Sequence, residues 1–184
     1  MGRLIITSQI TLDGVMTVGE WFNQHGEHDW HRSAGQASLD QLLAADAFIL
    51  GRKTYEGLSA AWPTLSDDVG FADRVNSLPK FVASRTLSEP LQWNSTLLEG
   101  ELAVSVAALK QRFSGNLLSF GFGEFASQLL QQGLVDELRF WVNPYSWGEG
   151  EHPFPGKERM RFELINTATF DTGIVLLSYR PIPG

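Results

Sequence analysis

Three short apolar runs each end in a turn whose residues suit the capture of an anion. Ala47-Phe48-Ile49-Leu50 leads into Gly51-Arg52-Lys53-Thr54, Lys80-Phe81-Val82-Ala83 into Ser84-Arg85-Thr86, and Asn116 to Phe120 into Gly121-Phe122-Gly123. Glycine lets backbone N–H groups approach a phosphate closely. A helix that follows such a turn adds its unpaired N–H groups and the positive end of its dipole. Arg52, Lys53 and Arg85 bring positive charge to a chain whose net charge is -7. Any one turn is a weak signal, because glycines commonly end strands and basic residues are commonly solvated. Three on one sheet edge are stronger, since open α/β sheets bind ligands at the carboxyl ends of their strands.

The strands must run parallel for those turns to meet, and the order of elements predicts that they do. Leu4 to Ile10 is apolar and β-branched and breaks at Asp13-Gly14, a strand entering a loop. Thr17 to Arg32 has no dominant period and reads as a long loop, a kind that is usually functional in compact domains. Ser38-Leu39-Asp40-Gln41 fits a capping box and predicts a helix of about two turns up to Ala45. Ala47 to Leu50 is then a buried strand. Thr54 is the expected cap of a second helix, which runs to about Ala61 and stops at Trp62-Pro63. Pro63 to Pro79 reads as a loop insertion anchored by Phe71, Val75 and Leu78. Lys80 to Ala83 and Ser95 to Leu98 are strands. Leu102, Val106, Leu109 and Phe113 line one face of a helix that Gly115 closes. Asn116 to Phe120 is a strand, Phe125 and Leu129 mark the helix after it, and Gly133 ends that helix. Glu137 to Val142, Phe162 to Ala168 and Gly173 to Tyr179 complete the strands, with a Gly/Pro-rich loop from Asn143 to Lys157. This order predicts an α/β fold in one domain over residues 1–184. Its sheet is mainly parallel, flanked by helices on both faces, with antiparallel C-terminal strands.

Composition narrows the chemistry. At 43% hydrophobic residues the chain can bury a sizeable core. No basic stripe appears, so no nucleic-acid partner is expected. The absence of cysteine excludes disulfides, thiolate zinc sites and cysteine nucleophiles. The opening apolar run is too short for a signal peptide, and no run approaches the ~18 apolar residues of a membrane span. A cytoplasmic protein with no membrane partner is therefore expected. His25, His28 and His31 repeat every third residue beside Glu27 and Asp29. On a helix that spacing spreads the side chains too widely for one ion, so no metal is expected. Histidines at a substrate mouth, or merely solvated ones, remain the alternatives. Neither a Gly-x-Ser-x-Gly elbow nor a Walker-type loop is present.

Gly51-Arg52-Lys53-Thr54-Tyr55-Glu56 after Ala47 to Leu50 resembles the cofactor turn of the dihydrofolate reductase superfamily. The similar branch is the bacterial group resembling the C-terminal reductase domain of the bifunctional riboflavin biosynthesis protein RibD. Thr11-Leu12-Asp13-Gly14, Ala83-Ser84-Arg85-Thr86-Leu87, Gly133 to Leu138, and Pro144, Gly148, Gly150 and Phe154 match that group's other motifs in order. The resemblance covers nearly the whole chain. It implies a three-layer dihydrofolate-reductase-like fold and the cofactor NADP(H). By it, Arg52, Lys53 and Thr54 after Gly51 hold the pyrophosphate or adenosine phosphates. Ser84, Arg85 and the following Thr86 meet the ribose 2′-phosphate, to which an arginine fork is suited. Gly121, Phe122, Gly123, Glu124 and Phe125 carry the pyrophosphate at a helix start, and Leu12 to Met16 border the nicotinamide. It also suggests a homodimer paired through a sheet edge, either Arg139 to Val142 or the last strands. The chain departs from the pattern at Phe122 and Glu124, where a bulky ring and a carboxylate are poor neighbours for a pyrophosphate. Glu149, Glu151 and His152 stand in a late loop that usually carries a basic residue, and Ala61-Trp62-Pro63-Thr64 lacks the Asp-Asp-Pro segment of riboflavin-pathway reductases.

Reduction of a ring imine needs a proton beside the accepting nitrogen, and a carboxylate can supply it directly or through water. Asp13, Asp29 and Asp40 are the candidates. Asp29 ranks first, because Trp21 followed by Asp29-Trp30 echoes the layout of the dihydrofolate reductase acid. Asp40 suits a first helical turn, and Asp13 suits a turn. Trp21 and Trp30, with Asp13, are candidate contacts for a planar heterocycle; Phe22 and Trp62 serve equally as core. Trp141 and Trp147 fit a substrate wall, the core or a dimer contact. Three functions remain: an NADPH-dependent reductase of a small pterin- or pyrimidine-like compound, a non-catalytic or degenerate ligand-binding protein on the same scaffold, and a structural or interaction protein that uses an exposed edge strand for dimerisation.

Overall fold

A computed structural model describes residues 1–16, 32–154 and 159–182. Its strands are β1 (Arg3–Thr11), β2 (Ala45–Gly51), β3 (Lys80–Ala83), β4 (Ser95–Leu97), β5 (Asn116–Phe120), β6 (Glu137–Asn143), β7 (Arg161–Thr169) and β8 (Val175–Ile182). They form one sheet in the order β4-β3-β2-β5-β1-β6-β8-β7. The first six of these run parallel to their neighbours, while β8 is antiparallel to both β6 and β7. The described helices are α1 (Ser33–Leu43), α2 (Arg52–Ala61), α3 (Phe71–Ser77), α4 (Leu102–Arg112) and α5 (Glu124–Gln131). None of them is long and apolar enough to cross a membrane.

The central strands are apolar throughout because both of their faces are buried. Successive residues alternate between two cores, as the two-residue period of a strand requires. Leu4, Ile6, Ala47, Ile49 and Leu117 pack with Val106 and Leu109 of α4 and Ala126 and Leu129 of α5. Ile5, Phe48, Leu50 and Leu118 face the other way, against Leu42, Tyr55, Phe71 and Val75 from α1, α2 and α3. Burying each Leu, Ile or Phe contributes about 1.5–3 kcal/mol, so these two layers hold the parallel strands in register.

Four local expectations are corrected. Ser38 lies inside α1, which starts at Ser33 without a side-chain cap. The start moves forward because Ala34 is buried against Trp141 and Ile174. There, Ser33 bonds the carboxylate of Asp171 and Arg32 donates to the Asp171 carbonyl at 3.0 Å. Thr54 does not cap α2, which begins at Arg52 with Gly51 as its extended N-cap. The Pro63 to Pro79 segment contains α3, whose first amides donate to the Asp67 carboxylate, Phe71 at 2.9 Å and Ala72 at 2.5 Å, as does Val69 just before the helix at 3.0 Å. Arg139 to Val142 belongs to β6, between β1 and β8, so it is interior; the sheet edges are β4 and β7.

Candidate functional site

The strands β3, β2 and β5 are neighbours, so the turns that follow them stand side by side at one sheet edge. They open onto a cleft of about 790 Å³. Its walls include Gly51 to Thr54, Ala83 to Thr86, Ser119 to Gly121 and Gly123 to Ala126. Leu98, Gly100 to Leu102, Gln128, Gln132, Met16, Glu151 and His152 complete the lining. That size falls in the range of small-molecule and cofactor sites.

Each glycine of the turns has its own reason. Gly51 is extended, with φ -76° and ψ 158°, and needs no left-handed freedom. A Cβ there would lie 2.9 Å from the Cβ of Phe125, so glycine is what lets β2 and α5 approach. Gly121 has φ +78°, a conformation that L side chains rarely adopt. A Cβ at Gly121 or Gly123 would meet no protein atom within 4 Å, so both turns stay open on that side. Neither α2 nor α5 has a side-chain cap at its N-terminus. Their first-turn N–H groups are thus left for a ligand, in the electrostatics that favour an anion.

The cations differ in availability. Arg52 is paired with Glu56 of its own helix at 2.9 Å. Lys53 and Arg85 are exposed and have no ion-pair or hydrogen-bond partner among the described residues. The hydroxyl oxygen of Ser84 accepts the amides of Thr86 at 3.1 Å and Leu87 at 3.0 Å. Those bonds rigidify the turn that presents Arg85 and leave the hydroxyl proton to donate. Glu124 lies in the first turn of α5, where a carboxylate complements the helix dipole, and accepts a bond from Gln128 at 3.4 Å.

The ring of Phe122 is 1% exposed and points away from the cleft, with ring centroids 4.5 Å from Phe154 and 5.9 Å from Phe140. Its side chain is therefore core rather than cofactor wall, which also removes the bulky-ring objection. The β1 end is built by a clasp between distant loops. The Asp13 carboxylate accepts bonds from the Thr11 hydroxyl at 2.5 Å, the Gly148 amide at 2.7 Å and the Trp147 amide at 3.1 Å. These donors hold its carboxyl well below the usual range. Leu12 donates its amide to the Tyr145 carbonyl at 2.7 Å, and Met16 to the Glu151 carbonyl at 2.8 Å. Met16 lines the cleft; Leu12 and Asp13 do not. Asp13 is directed to the loop because a carboxylate beside several amides gains more there than in solvent.

Trp21, Trp30, Asp29 and the three neighbouring histidines lie outside the described residues. Trp62, half-buried, packs at a tilt against Phe71 at the margin of the core, and Trp141 is buried, stacked on Phe170 with its indole donating to the Thr7 hydroxyl at 3.1 Å. Sequence reasoning missed Glu101, Ser119, Phe120, Gln128 and Gln132 as cleft residues. The four-residue spacing of Glu124, Gln128 and Gln132 along α5 was the available signal, since such residues share a helix face.

Across residues 3–176 the chain matches the model of the RibD C-terminal domain. The chain belongs to that family. RibD C-terminal domains are reductases and typically use a nicotinamide cofactor. The chain is 28% identical to the uncharacterized protein YyaP of Bacillus subtilis over 182 residues, which cover 96% of this chain and 94% of YyaP. Its fold is similar to that of a putative riboflavin biosynthesis protein from Shewanella sp. PV-4, with a TM-score of 0.76, 18% identity and coverage of 98% and 99%. It is also similar to a pyrimidine reductase-like protein from Corynebacterium diphtheriae, with a TM-score of 0.66, 15% identity and coverage of 100% and 93%. Acinetobacter baumannii RibD matches with a TM-score of 0.65 and 18% identity, and there the chain spans 59% of the other protein. These likenesses identify the dihydrofolate-reductase-like α/β fold. The residues present fit the phosphates of a nicotinamide dinucleotide, the type of cofactor that RibD C-terminal domains typically use. Two uncapped helix starts, an open glycine turn, and Lys53 and Arg85, unpaired among the described residues, supply donors and positive charge around the cleft.

Proposed function

We propose that the chain is a single-domain, cytoplasmic, NADPH-dependent reductase of a small pterin- or pyrimidine-like heterocycle. The observation that carries this reading is the convergence of three strand-end turns on one cleft whose unpaired cations, Lys53 and Arg85, sit beside uncapped helix starts. When bound, the reduced nicotinamide supplies a hydride. Arg85 and Ser84 bind the 2′-phosphate, with Thr86 completing that turn. Arg52, Lys53 and Thr54 after Gly51 bind the pyrophosphate from one side, and the Gly121 to Phe125 backbone from the other. Met16, held by the Glu151 carbonyl, orients the nicotinamide end. Asp29 donates the proton, and Trp21 and Trp30 stack on the acceptor. A second copy pairs through the β7 edge, which lies at the margin of the sheet.

Titration by NADPH fluorescence tests the reading, with binding in the micromolar range expected. No detectable binding at millimolar NADPH would remove it. Glu124 at the start of α5 favours the second reading, a ligand-binding protein without catalysis. That reading predicts NADPH binding with no oxidation in the presence of any pterin or pyrimidine acceptor.

A further inference from the structure

At the end of β1 lies a polar strip that has no part in holding the dinucleotide. Thr7, Gln9 and Thr11 stand in register with Arg139, Trp141 and Asn143 of β6, so the two-residue period puts all six on one face of the sheet. That face is the one α1 covers, because the Thr7 hydroxyl accepts bonds from Trp141 Nε1 at 3.1 Å and from Gln41 Nε2 of α1 at 3.4 Å. The strip reaches the cleft. Phe120, a cleft residue, lies in register with Thr7, and the Gly121 amide donates to the Thr7 carbonyl at 2.9 Å. Because β5 ends at Phe120, Gln9 has β6 on one side and the turn at Gly121, not a strand, on the other.

Two carboxamides end the strip, and one orients the other. Asn143 is fully buried. Its Nδ2 donates to Gln9 Oε1 at 2.8 Å, to the Trp141 carbonyl at 3.0 Å and to the Ile10 carbonyl at 3.2 Å. Two backbone carbonyls around that nitrogen fix which end of the Asn143 amide is the NH2, since an oxygen there would meet only acceptors. Gln9 must then turn its oxygen to Asn143 and its NH2 the other way. Gln9 is partly exposed, and its NH2 has no partner among the described residues. The arrangement costs stability, because Asn143 Oδ1 is buried with no hydrogen-bond partner among those residues. A buried orphan whose amide aims a neighbour is a mark of function rather than of packing.

We propose that Gln9 selects the acceptor: its NH2 donates to a carbonyl oxygen of the heterocycle, so a ring with an oxo group is preferred over its amino counterpart. This rests on the reading that the chain reduces a heterocycle beside NADP(H). An oxo group accepts the bond. An amino group at the same place sets donor against donor and leaves the Gln9 NH2 unpaired. Asn143 acts through Gln9 and is a positioning residue.

The test uses the full chain saturated with NADP+ and two matched pairs of probes: pterin against 2,4-diaminopteridine, and uridine against cytidine. Calorimetry gives the dissociation constants. In at least one pair the oxo member binds at least tenfold tighter. Gln9→Glu, whose carboxylate only accepts, reverses that order, and Gln9→Leu brings the pair within threefold. Asn143→Ala narrows the preference while NADP+ affinity stays within twofold, a split that a merely structural role does not produce. Because Asn143 is buried, the Gln9 variants decide the matter alone if Asn143→Ala does not fold. An equal or reversed preference in the unaltered chain, a preference that both Gln9 variants leave unchanged, or no binding of either oxo probe at millimolar concentration overturns the proposal. Failure of NADP+ to bind is a distinct result, which removes the reductase reading and this inference with it.

Discussion

Adding one methyl group at Gly51 tests whether the contact between β2 and α5 sets the cleft. The alanine Cβ would stand 2.9 Å from Phe125 Cβ, 3.1 Å from its Cγ and 3.3 Å from its Cδ1. Carbon atoms in contact prefer about 3.5–4.0 Å, so Phe125 must retreat by roughly 0.6 Å. Rotation of the side chain does not relieve the closest contact, because that atom is attached directly to the helix backbone. The start of α5 must move. Overpacking of this kind costs about 1–3 kcal/mol. Alanine tolerates φ -76° and ψ 158°, and it restricts the unfolded chain, which returns about 0.4–1 kcal/mol. A net loss of about 1–2 kcal/mol is expected, read as a lower urea midpoint at unchanged slope. Because Gly51 caps α2 and its neighbour Phe125 belongs to α5, both helix starts shift, and NADPH affinity falls at least tenfold. Gly123→Ala is the contrast: its Cβ meets no protein atom within 4 Å, so stability should hold within about 0.5 kcal/mol. If Gly51→Ala leaves both stability and NADPH affinity unchanged, the close approach of β2 and α5 does not shape the site.

Three further outcomes follow from side chains with defined surroundings. Arg85→Ala should weaken NADPH at least tenfold more than NADH in parallel titrations; equal losses would remove Arg85 from the 2′-phosphate role. Lys80 is wholly buried, donates to the Asn76 carbonyl at 2.8 Å and lies 4.1 Å from the Trp93 ring centroid, and burial pulls its pKa from 10.5 to about 8. Between those values the unfolded chain binds more protons than the folded one, so stability should rise as pH goes from about 8 to 10.5. At about 1.4 kcal/mol per pH unit, Lys80→Met should stabilise the protein at pH 7 by up to about 3 kcal/mol and flatten that rise; loss of stability instead would show that the Trp93 and Asn76 contacts outweigh burial of the charge. For Asp13 the sign is opposite: its folded carboxyl is held below the ordinary value of 3.8, so its contribution is present above that value and lost as pH falls. Protection factors of the Trp147 and Gly148 amides, which remove the intrinsic pH dependence of exchange, should fall on strong acidification, and Asp13→Ala should produce the same fall at neutral pH without unfolding the sheet.

The central sheet was legible because its signals are local and repeated. Ile5 against Leu4 and Ile6, and Phe48 against Ala47 and Ile49, show the two-faced burial of parallel strands in their composition alone. Gly133 was a sound helix stop, with its φ of 65° and its amide bonded to the Leu130 carbonyl at 2.9 Å. Ser38 misled because a capping pattern fits many serines, whereas α1 starts where Ala34 meets Trp141 and Ile174, residues more than a hundred positions away. The helix α3 escaped notice because Asp67 caps it from four residues before Phe71 and only three of its side chains are buried. Phe122 was misread for a related reason. A residue between two turn glycines looks exposed in sequence, but the partners that bury it, Phe140 and Phe154, lie in β6 and the late loop.

The two halves of the cleft differ in how they are encoded, and this decides what a sequence can say about each. Where the turns after β2, β3 and β5 line the cleft, each surface is one continuous peptide: a strand end, a glycine or serine, and the residues after it. Its chemistry is therefore visible at Gly51, Ser84 and Gly121 before any folding is considered. The end of the cleft at Met16 is assembled by long-range bonds, among them Asp13 to Gly148, 135 positions apart, and Met16 to Glu151. The motifs there, Thr11 to Gly14 and Pro144 to Phe154, do not by themselves show that they meet. The separation has a physical consequence for specificity. The late loop meets the cleft through Glu151 and His152, while the turns after β2 and β3 are braced by the central sheet and by the Ser84 bonds. Substitutions in the late loop can therefore alter the charge at the Met16 end of the cleft without moving the turns after β2 and β3.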